Sequence, residues 1–522
     1  TENTGPQCPV CEAKLVGLSE ATANDHVNHC LDGNPIPFPK PKSTVSAVTF
    51  TKPPTSRTSN PHSALQMSGK KQGHSAFTKL MSTNNEAHAW AAAAKAEVDS
   101  KGMRAAERTC PFYKILFNGP ISVDAFRYGA VPGCNAYFLS HFHSDHYVGL
   151  TSKWDHGPIY CSRVTANLVR TKLGVDPQWV HELPWEEWFE VPNTNGVRVQ
   201  GLDANHCPGS MLFLFEKDVK GKRTRILHCG DFRADPKHLN HPLLWPGKDR
   251  KQKLDTVYLD TTYLDPKYAF PSQKSVIDAC AEMCVALHQE KPLDIKHESG
   301  GLGGFMTKTS GTKKETGSGT SKGRLLVVVG TYSIGKERIC TGIAHALNSK
   351  IYATPQKLRI LRLLEDPALS RLLTTNPNDA QVHLTHLGGI GPDTLSTYLS
   401  SHPSFSRIVA FRPSGWSYKP PNSRLTSSPK TEDVLYSPAW RSVYGVAEMQ
   451  LMRGSSEKVK MFAVPYSEHS SFRELSMFCC ALEIGKIVPT VNVGSKKSRE
   501  KMNGWIEKWE VVRRKGGFGL VE

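Results

Sequence analysis

The chain has 522 residues, enough for two or three domains with sizeable cores. Its 65 lysines and arginines against 48 aspartates and glutamates give a formal charge of +17, which favours polyanionic partners, nucleic acid above all, with an anionic membrane surface as a second fit. No apolar run approaches the roughly 18–20 residues that a membrane helix needs, so no membrane-spanning helix is expected. The start of the sequence carries no signal-peptide core. Thirteen scattered cysteines point to a reducing compartment rather than secretion.

In chain order, residues 1–31 come first. Cys8-Pro-Val-Cys11, fourteen residues and then His26-Val-Asn-His-Cys30 have the spacing of a small tetrahedral zinc site. The expected ligands are Cys8, Cys11, His26 and Cys30, with His29 as a competitor. So short a segment has almost no core, and metal binding would drive its folding. The Cys-Cys-His-Cys order around Asp25 resembles the ubiquitin-binding fingers of DNA-damage-response proteins. That resemblance implies ubiquitin as the partner, and the scarcity of Lys and Arg here disfavours DNA. Residues 32–108 read as a largely disordered linker, typified by Pro35-Ile-Pro-Phe-Pro-Lys-Pro-Lys42. Within it, Thr83-Asn-Asn-Glu86 has capping-box spacing ahead of good helix formers from Ala87 to Val98. Phe77, Leu80 and Met81 just upstream fit either a partner-binding peptide or a segment that docks back.

From Cys110 onward short apolar runs bounded by Gly or Pro predict strands: Ala136–Leu139, Val197–Leu202, Arg225–His228, Thr256–Asp260, Leu325–Val329, Ile408–Phe411, Met461–Val464 and Ile487–Val493. Helical patterns lie between them at Ser272–Gln289, Gly335–Leu347 and Pro355–Leu364, so the fold class is α/β. Residues 298–322, rich in Gly, Ser, Thr and Lys, read as a disordered surface insertion.

Chemistry concentrates at strand ends. His141-Phe-His143-Ser-Asp145-His146 packs three imidazoles and a carboxylate into six residues, with His141 and His143 on one side of an extended segment. Such a cluster needs hydrogen-bond partners or a metal, and mixed nitrogen and oxygen ligands suit Zn²⁺, as one ion or two. His206, Asp231 and His469 each follow another predicted strand and add candidate ligands, while Asp124 could orient a metal-bound histidine. Gly330-Thr-Tyr-Ser333-Ile-Gly335-Lys336 reads as a turn opening a helix, which suits a phosphate but lacks nucleotide-binding spacing. Ser333, Lys336 and the Phe411–Trp416 stretch with Ser414 are candidate substrate contacts. Lys496-Lys497-Ser-Arg499 and Arg513-Arg514-Lys515 could guide backbone phosphates or be solvated faces.

Val123–Gly129, Phe138–His146, Asp203–Gly209, Gly230–Arg233, Leu259–Tyr263, Pro465–Ser471 and Pro489–Gly494 together resemble the metallo-β-lactamase superfamily, specifically its β-CASP branch and the DNA interstrand cross-link repair 5′-exonucleases, including fungal members. The resemblance implies an αββα sandwich with an inserted α/β β-CASP domain, plus the small N-terminal zinc finger on its disordered tether. The expected divisions are 109–265 and 456–522 for the sandwich and 266–455 for the insertion. It implies that His141, His143 and His206 hold one metal, that Asp231 bridges, and that Asp145 and His146 serve a second position. Asp124 and Asp260 would be structural carboxylates, His469 a further ligand, and Ser467 and Ser470 part of a 5′-phosphate pocket. Val493 stands where RNA-processing relatives carry His, which points to DNA. The implied protein is a nuclear, zinc-dependent, monomeric 5′→3′ exonuclease acting on 5′-phosphorylated DNA. An RNA endonuclease, or a ubiquitin-recruited adaptor that clamps DNA without cleaving it, are the alternatives.

Overall fold

The computed structural model describes residues 76–516 apart from 101, 246–251, 292–295, 298–322 and 422–427. The expected finger (Cys8, Cys11, His26, Cys30), its tether up to residue 75 and the 298–322 insertion lie outside the described residues. Among the described residues, no helix is long and apolar enough to cross a membrane.

The first helix, α1 (Ala76–Asp99), starts well before the expected cap and runs through Thr83. Once a turn has formed, each added residue gains a hydrogen bond, so the weak helix formers at 82–85 are carried by their neighbours. From Glu86 onward the helix docks: Trp90 is buried, stacked on Tyr113 at 5.2 Å and edge-on to Phe112 at 4.8 Å. Glu97 pairs with Arg127 and Glu86 with Lys486. The last part of the 32–108 linker is therefore an ordered piece of the main body.

Five strands, β1 (Ile115–Leu116), β2 (Ile121–Val123), β3 (Ala136–Phe138), β4 (Ile159–Ser162) and β5 (Val180–Leu183), form a sheet in that order, parallel from β2 onward. The next four, β6 (Trp188–Glu190), β7 (Arg198–Asp203), β8 (Met211–Val219) and β9 (Lys222–His228), are antiparallel, and β10 (Leu254–Leu259) joins β9 in parallel. Alternation along β8 explains how the two sheets meet. Met211, Phe213 and Phe215 point into a core shared with Phe138 and Tyr160 of the first sheet, while Leu212 and Leu214 point the other way into a second core with Phe478 and Trp509. The ring of Phe138 lies 5.2 Å from Phe213 and 4.9 Å from Phe215.

After β10 the chain leaves this sandwich through α2 (Gln273–His288), capped by Ser272. It then builds β11 (Lys296–His297), β12 (Arg324–Thr331), α3 (Glu337–Ala346), β13 (Lys350–Tyr352), β14 (Leu373–Thr374), β15 (Ala380–His386), β16 (Phe405–Pro413), β17 (Gln450–Leu451) and β18 (Val459–Val464). These strands form an eight-stranded sheet, order β11-β17-β18-β16-β12-β15-β13-β14. β12 is apolar on both faces because both are covered: Leu325, Val327 and Val329 join one core, Leu326 and Val328 another. The first of these cores continues onto the outer face of the first sheet through Leu139, Ile159 and Cys161.

The expected boundary at 455/456 shifts. β18 pairs with β16 from Ile408–Val459 to Pro413–Val464, so it closes the inserted sheet rather than opening the return segment. The return comes with α4 (Phe472–Ala481), β19 (Ile484–Pro489) and α5 (Lys496–Arg514). β19 pairs in parallel with β10 and becomes the sixth strand of the second sheet. It stops at Pro489 and not at Val493, since proline offers no N–H for the ladder. Beyond it the chain turns, with the Val491 carbonyl accepting from Thr261 at 2.6 Å.

Candidate metal centre

The ends of β3, β7 and β9, and the loop after β18, converge. Each histidine that they carry has one ring nitrogen engaged by the protein and the other turned toward a common space. Ser140 Oγ lies 2.9 Å from His141 Nδ1, and the Glu468 carbonyl lies 2.8 Å from His206 Nδ1. Asp124 holds His146 Nδ1 at 2.7 Å, and Asp260 holds His469 Nδ1 at 2.8 Å. His143 is reversed: its Nε2 meets the Ile334 carbonyl at 3.2 Å, leaving Nδ1 to face His141 Nε2 at 2.9 Å and His206 Nε2 at 3.1 Å. Asp231 Oδ2 sits among them, 3.2 Å from His146 Nε2, 3.6 Å from His141 Nε2 and 4.0 Å from His206 Nε2. Three overlapping groups have donor atoms within 4.8 Å of one another: His141, His143, His206 and Cys207; His141, His146 and Asp231; and His206, Asp231 and His469. Asp231 belongs to two of them.

The backbone is shaped to permit this. Asp124 adopts φ +51, a region that costs non-glycine residues energy and survives only where surroundings over-determine it. Its carboxylate takes the Ser140 N–H at 2.9 Å and the Ser140 hydroxyl at 2.8 Å as well as His146. Gly230 is at φ +54, and a Cβ there would lie 2.6 Å from Ser140 Cβ, so only glycine lets the Asp231 turn press onto Ser140.

The electrostatics fit a bound cation. Burial foremost pushes the His141 and His206 imidazoles well below their ordinary value and lowers His143 to about 4, which keeps these rings neutral, the ligand form. Burial acts the same way on His146, but the carboxylates of Asp231, Asp145 and Asp124 outweigh it and hold this ring well above the usual range. A positive charge is thus demanded where three carboxylates meet, and a divalent ion can meet that demand. Asp145 is more open than the others and stands 3.4 Å from His146 Nε2, at the rim of the cluster.

Several predicted contacts have other duties. Ser470 Oγ donates to the Phe232 carbonyl at 3.0 Å and accepts the Ala234 N–H at 2.9 Å, which braces the Asp231 loop instead of lining a phosphate pocket. Ser467 Oγ accepts the His469 N–H at 2.9 Å and donates to the His469 carbonyl at 3.1 Å, fixing that turn. The N–H groups of the predicted phosphate turn are taken by acids: Gly335 donates to Glu337 at 3.0 Å and Lys336 to Glu468 at 2.7 Å. Lys336 Nζ stands 3.3 Å over the Tyr332 ring, itself 6.3 Å from His143, so this ammonium flanks the cluster. Ser333 is exposed. Ser414 is buried on the loop that packs Trp416 against Tyr263 at 4.5 Å and Tyr268 at 5.0 Å, and Tyr263 lies 6.0 Å from His469. Of the basic clusters, Arg499 donates to the Val493 carbonyl and Arg513 to that of Cys479, structural contacts both. Sequence reasoning missed Ser140, Cys207 and Glu468. A buried hydroxyl directly before the first histidine was the one available hint, for Ser140.

A sandwich with a histidine and carboxylate centre at the ends of its strands defines a metal-dependent hydrolase of the metallo-β-lactamase class, and a family model described as "DNA repair metallo-beta-lactamase" matches residues 367–495. The DNA cross-link repair protein pso2/snm1 of Schizosaccharomyces pombe is 40% identical over 99% of this chain and 80% of its own length. The human DNA cross-link repair 1A protein is 38% identical, covering 78% of this chain and 33% of its own. The 5′ exonuclease Apollo of Gallus gallus is 29% identical, covering 71% and 62%. The chain belongs to the Pso2/Snm1 family of DNA cross-link repair proteins.

Proposed function

We propose that the protein is a metal-dependent 5′→3′ DNA exonuclease that hydrolyses phosphodiester bonds from 5′-phosphorylated ends during interstrand cross-link repair. The observation that carries this reading is the convergence of five imidazoles and Asp231, each ring held at its second nitrogen. Family membership, and relatives named for cross-link repair and 5′ exonuclease activity, supply the substrate. His141, His143 and His206 would hold one ion, His146, His469 and Asp145 a second, with Asp231 between. The nitrogen-rich donor set suits Zn²⁺. When bound, such ions supply activation of water near neutral pH and neutralisation of charge on phosphoryl oxygens.

The chain's own residues do the rest. Asp124, Asp260, Ser140 and the Glu468 carbonyl fix the ring orientations, so that no reorganisation is needed as charge develops. Lys336 and Ser333 on one side, and Ser414 with the Trp416 ring on the other, are suited to a 5′-phosphate and its terminal base. The finger in residues 1–31, by its resemblance, would let ubiquitin at damaged sites recruit this protein, a nuclear enzyme acting as a monomer.

The test uses end-labelled single-stranded DNA and matched RNA, each with a 5′-phosphate or 5′-hydroxyl. Mononucleotide release from 5′-phosphorylated DNA, lost with chelator and in Asp145→Ala and Asp231→Ala, is expected. Cleavage of RNA alone would move the protein to the RNA-cleaving reading. Tight DNA binding with bound metal and no cleavage would make it an adaptor.

A further inference from the structure

Beside His469 stands an acid that none of these roles uses. Glu468 is 6% exposed, and it contacts two parts of the molecule at once. Its carbonyl meets His206 Nδ1 at 2.8 Å, while its Oε1 accepts the Lys336 N–H at 2.7 Å. Its Oε2 lies 2.6 Å from where a Cβ on Gly335 would stand, so the carboxylate fills space that any side chain at 335 would need. Gly335 sits at φ +97 and Lys336 at φ +68. The second value is strained for lysine, and the hydrogen bond to Glu468 helps to sustain it. One residue earlier, the Ile334 carbonyl holds His143. From beneath, Lys357 donates to the carbonyls of Tyr332 at 2.6 Å and Ser333 at 2.8 Å, and Glu337 takes the Gly335 N–H. The turn that opens α3 thus belongs to the inserted sheet by connectivity, yet is fastened to the metal-ligand loops of the sandwich.

We propose that Glu468 is a positioning residue that locks the Ile334–Lys336 turn onto the His206 and His469 loop, holding the Lys336 ammonium and the His206 ring in one arrangement for the 5′-phosphorylated end of DNA. This rests on the nuclease reading above for its substrate, but not for its metal. Neutral glutamine can still accept the Lys336 N–H. Alanine leaves that N–H without a partner, and alanine at 335 evicts the carboxylate.

The experiment uses the full chain with Glu468→Ala, Glu468→Gln and Gly335→Ala. Chelator-treated protein is titrated with Zn²⁺ by calorimetry, and KM and kcat are measured on 5′-phosphorylated and 5′-hydroxyl single-stranded DNA. For Glu468→Ala and Gly335→Ala the expected result is about 10-fold weaker zinc binding, the usual scale for loss of a group that orients a ligand. KM should rise selectively for the phosphorylated strand, with Glu468→Gln close to wild type in both readouts. Wild-type zinc affinity in folded Glu468→Ala overturns the proposal, as does Glu468→Gln falling as far as alanine. If Glu468→Ala does not fold, the Gly335→Ala and Glu468→Gln pair decides on the same criteria. If the wild-type enzyme ignores the 5′-phosphate, the substrate reading fails while the zinc titration still decides the role of Glu468.

Discussion

Replacing Asp260 with Asn removes one charge and almost no volume, and its consequence can be worked from the hydrogen bonds. The carboxylate accepts four: Thr262 N–H at 2.9 Å and Thr262 Oγ1 at 2.6 Å on Oδ1, Phe232 N–H at 3.3 Å and His469 Nδ1 at 2.8 Å on Oδ2. All four partners donate, and an amide presents an NH₂ to two of them. The better orientation places that NH₂ toward Thr262, whose hydroxyl can rotate to accept, leaving the Thr262 N–H orphaned at about 1–3 kcal/mol. His469 keeps an acceptor but loses the charge that strengthens the bond. Loss of a charged orienting partner weakens a metal site by about 10–100-fold. Asp260→Asn is therefore expected to fold, to lose about 1–3 kcal/mol in urea unfolding, and to bind Zn²⁺ about 10–100-fold more weakly by calorimetry. Zinc affinity within about 2-fold of wild type would show that His469 does not depend on Asp260, and would refute the reasoning.

Two further outcomes concern parts of the fold away from the centre. Trp90→Ala should remove about 3–5 kcal/mol from the docking of α1, because the half-exposed Glu86–Lys486 and Glu97–Arg127 pairs add little; hydrogen exchange should show α1 amides losing protection while the sheets keep theirs. His383 is fully buried between Tyr398 and the Pro377 and Ala380 carbonyls, and burial foremost lowers it from 6.5 to about 4. Between those values the unfolded chain binds a proton that the folded one refuses. Its contribution is complete above pH 6.5 and fades as pH falls toward 4, about 3 kcal/mol in all. Urea unfolding at pH 7 and pH 4.5 should show a steeper loss in wild type than in His383→Gln, and equal slopes would remove the assignment.

The candidate ligand residues were legible because each stands just after a short apolar run, where side chains from neighbouring strand ends can gather. His141, His143, His206, Asp231 and His469 meet as expected, and Asp145 sits at their rim. The strands themselves were also legible, but not which sheet each joins: an apolar run such as Val459–Val464 fits any covered position, and only its pairing with β16 decides. The start of α1 was hidden by a capping signature at Thr83 that the continuing helix overrides. Ser467 and Ser470 looked like phosphate contacts because nothing local shows that Phe232, Ala234 and the His469 backbone occupy their hydroxyls. Glu468 was invisible for the same reason at greater range, since Lys336, its partner, lies 132 residues earlier.

Asp260 follows β10 of the second sheet and His469 follows β18 of the inserted sheet, and the two are separated by 209 residues of chain. Their hydrogen bond can form only after the whole inserted segment between them has been synthesised. During synthesis the earlier candidate ligands, from His141 to Asp231, are therefore already present while His469 is still missing. A growing polypeptide lacks the His469–Asp260 contact, and the candidate centre is gathered only when the chain returns to the sandwich.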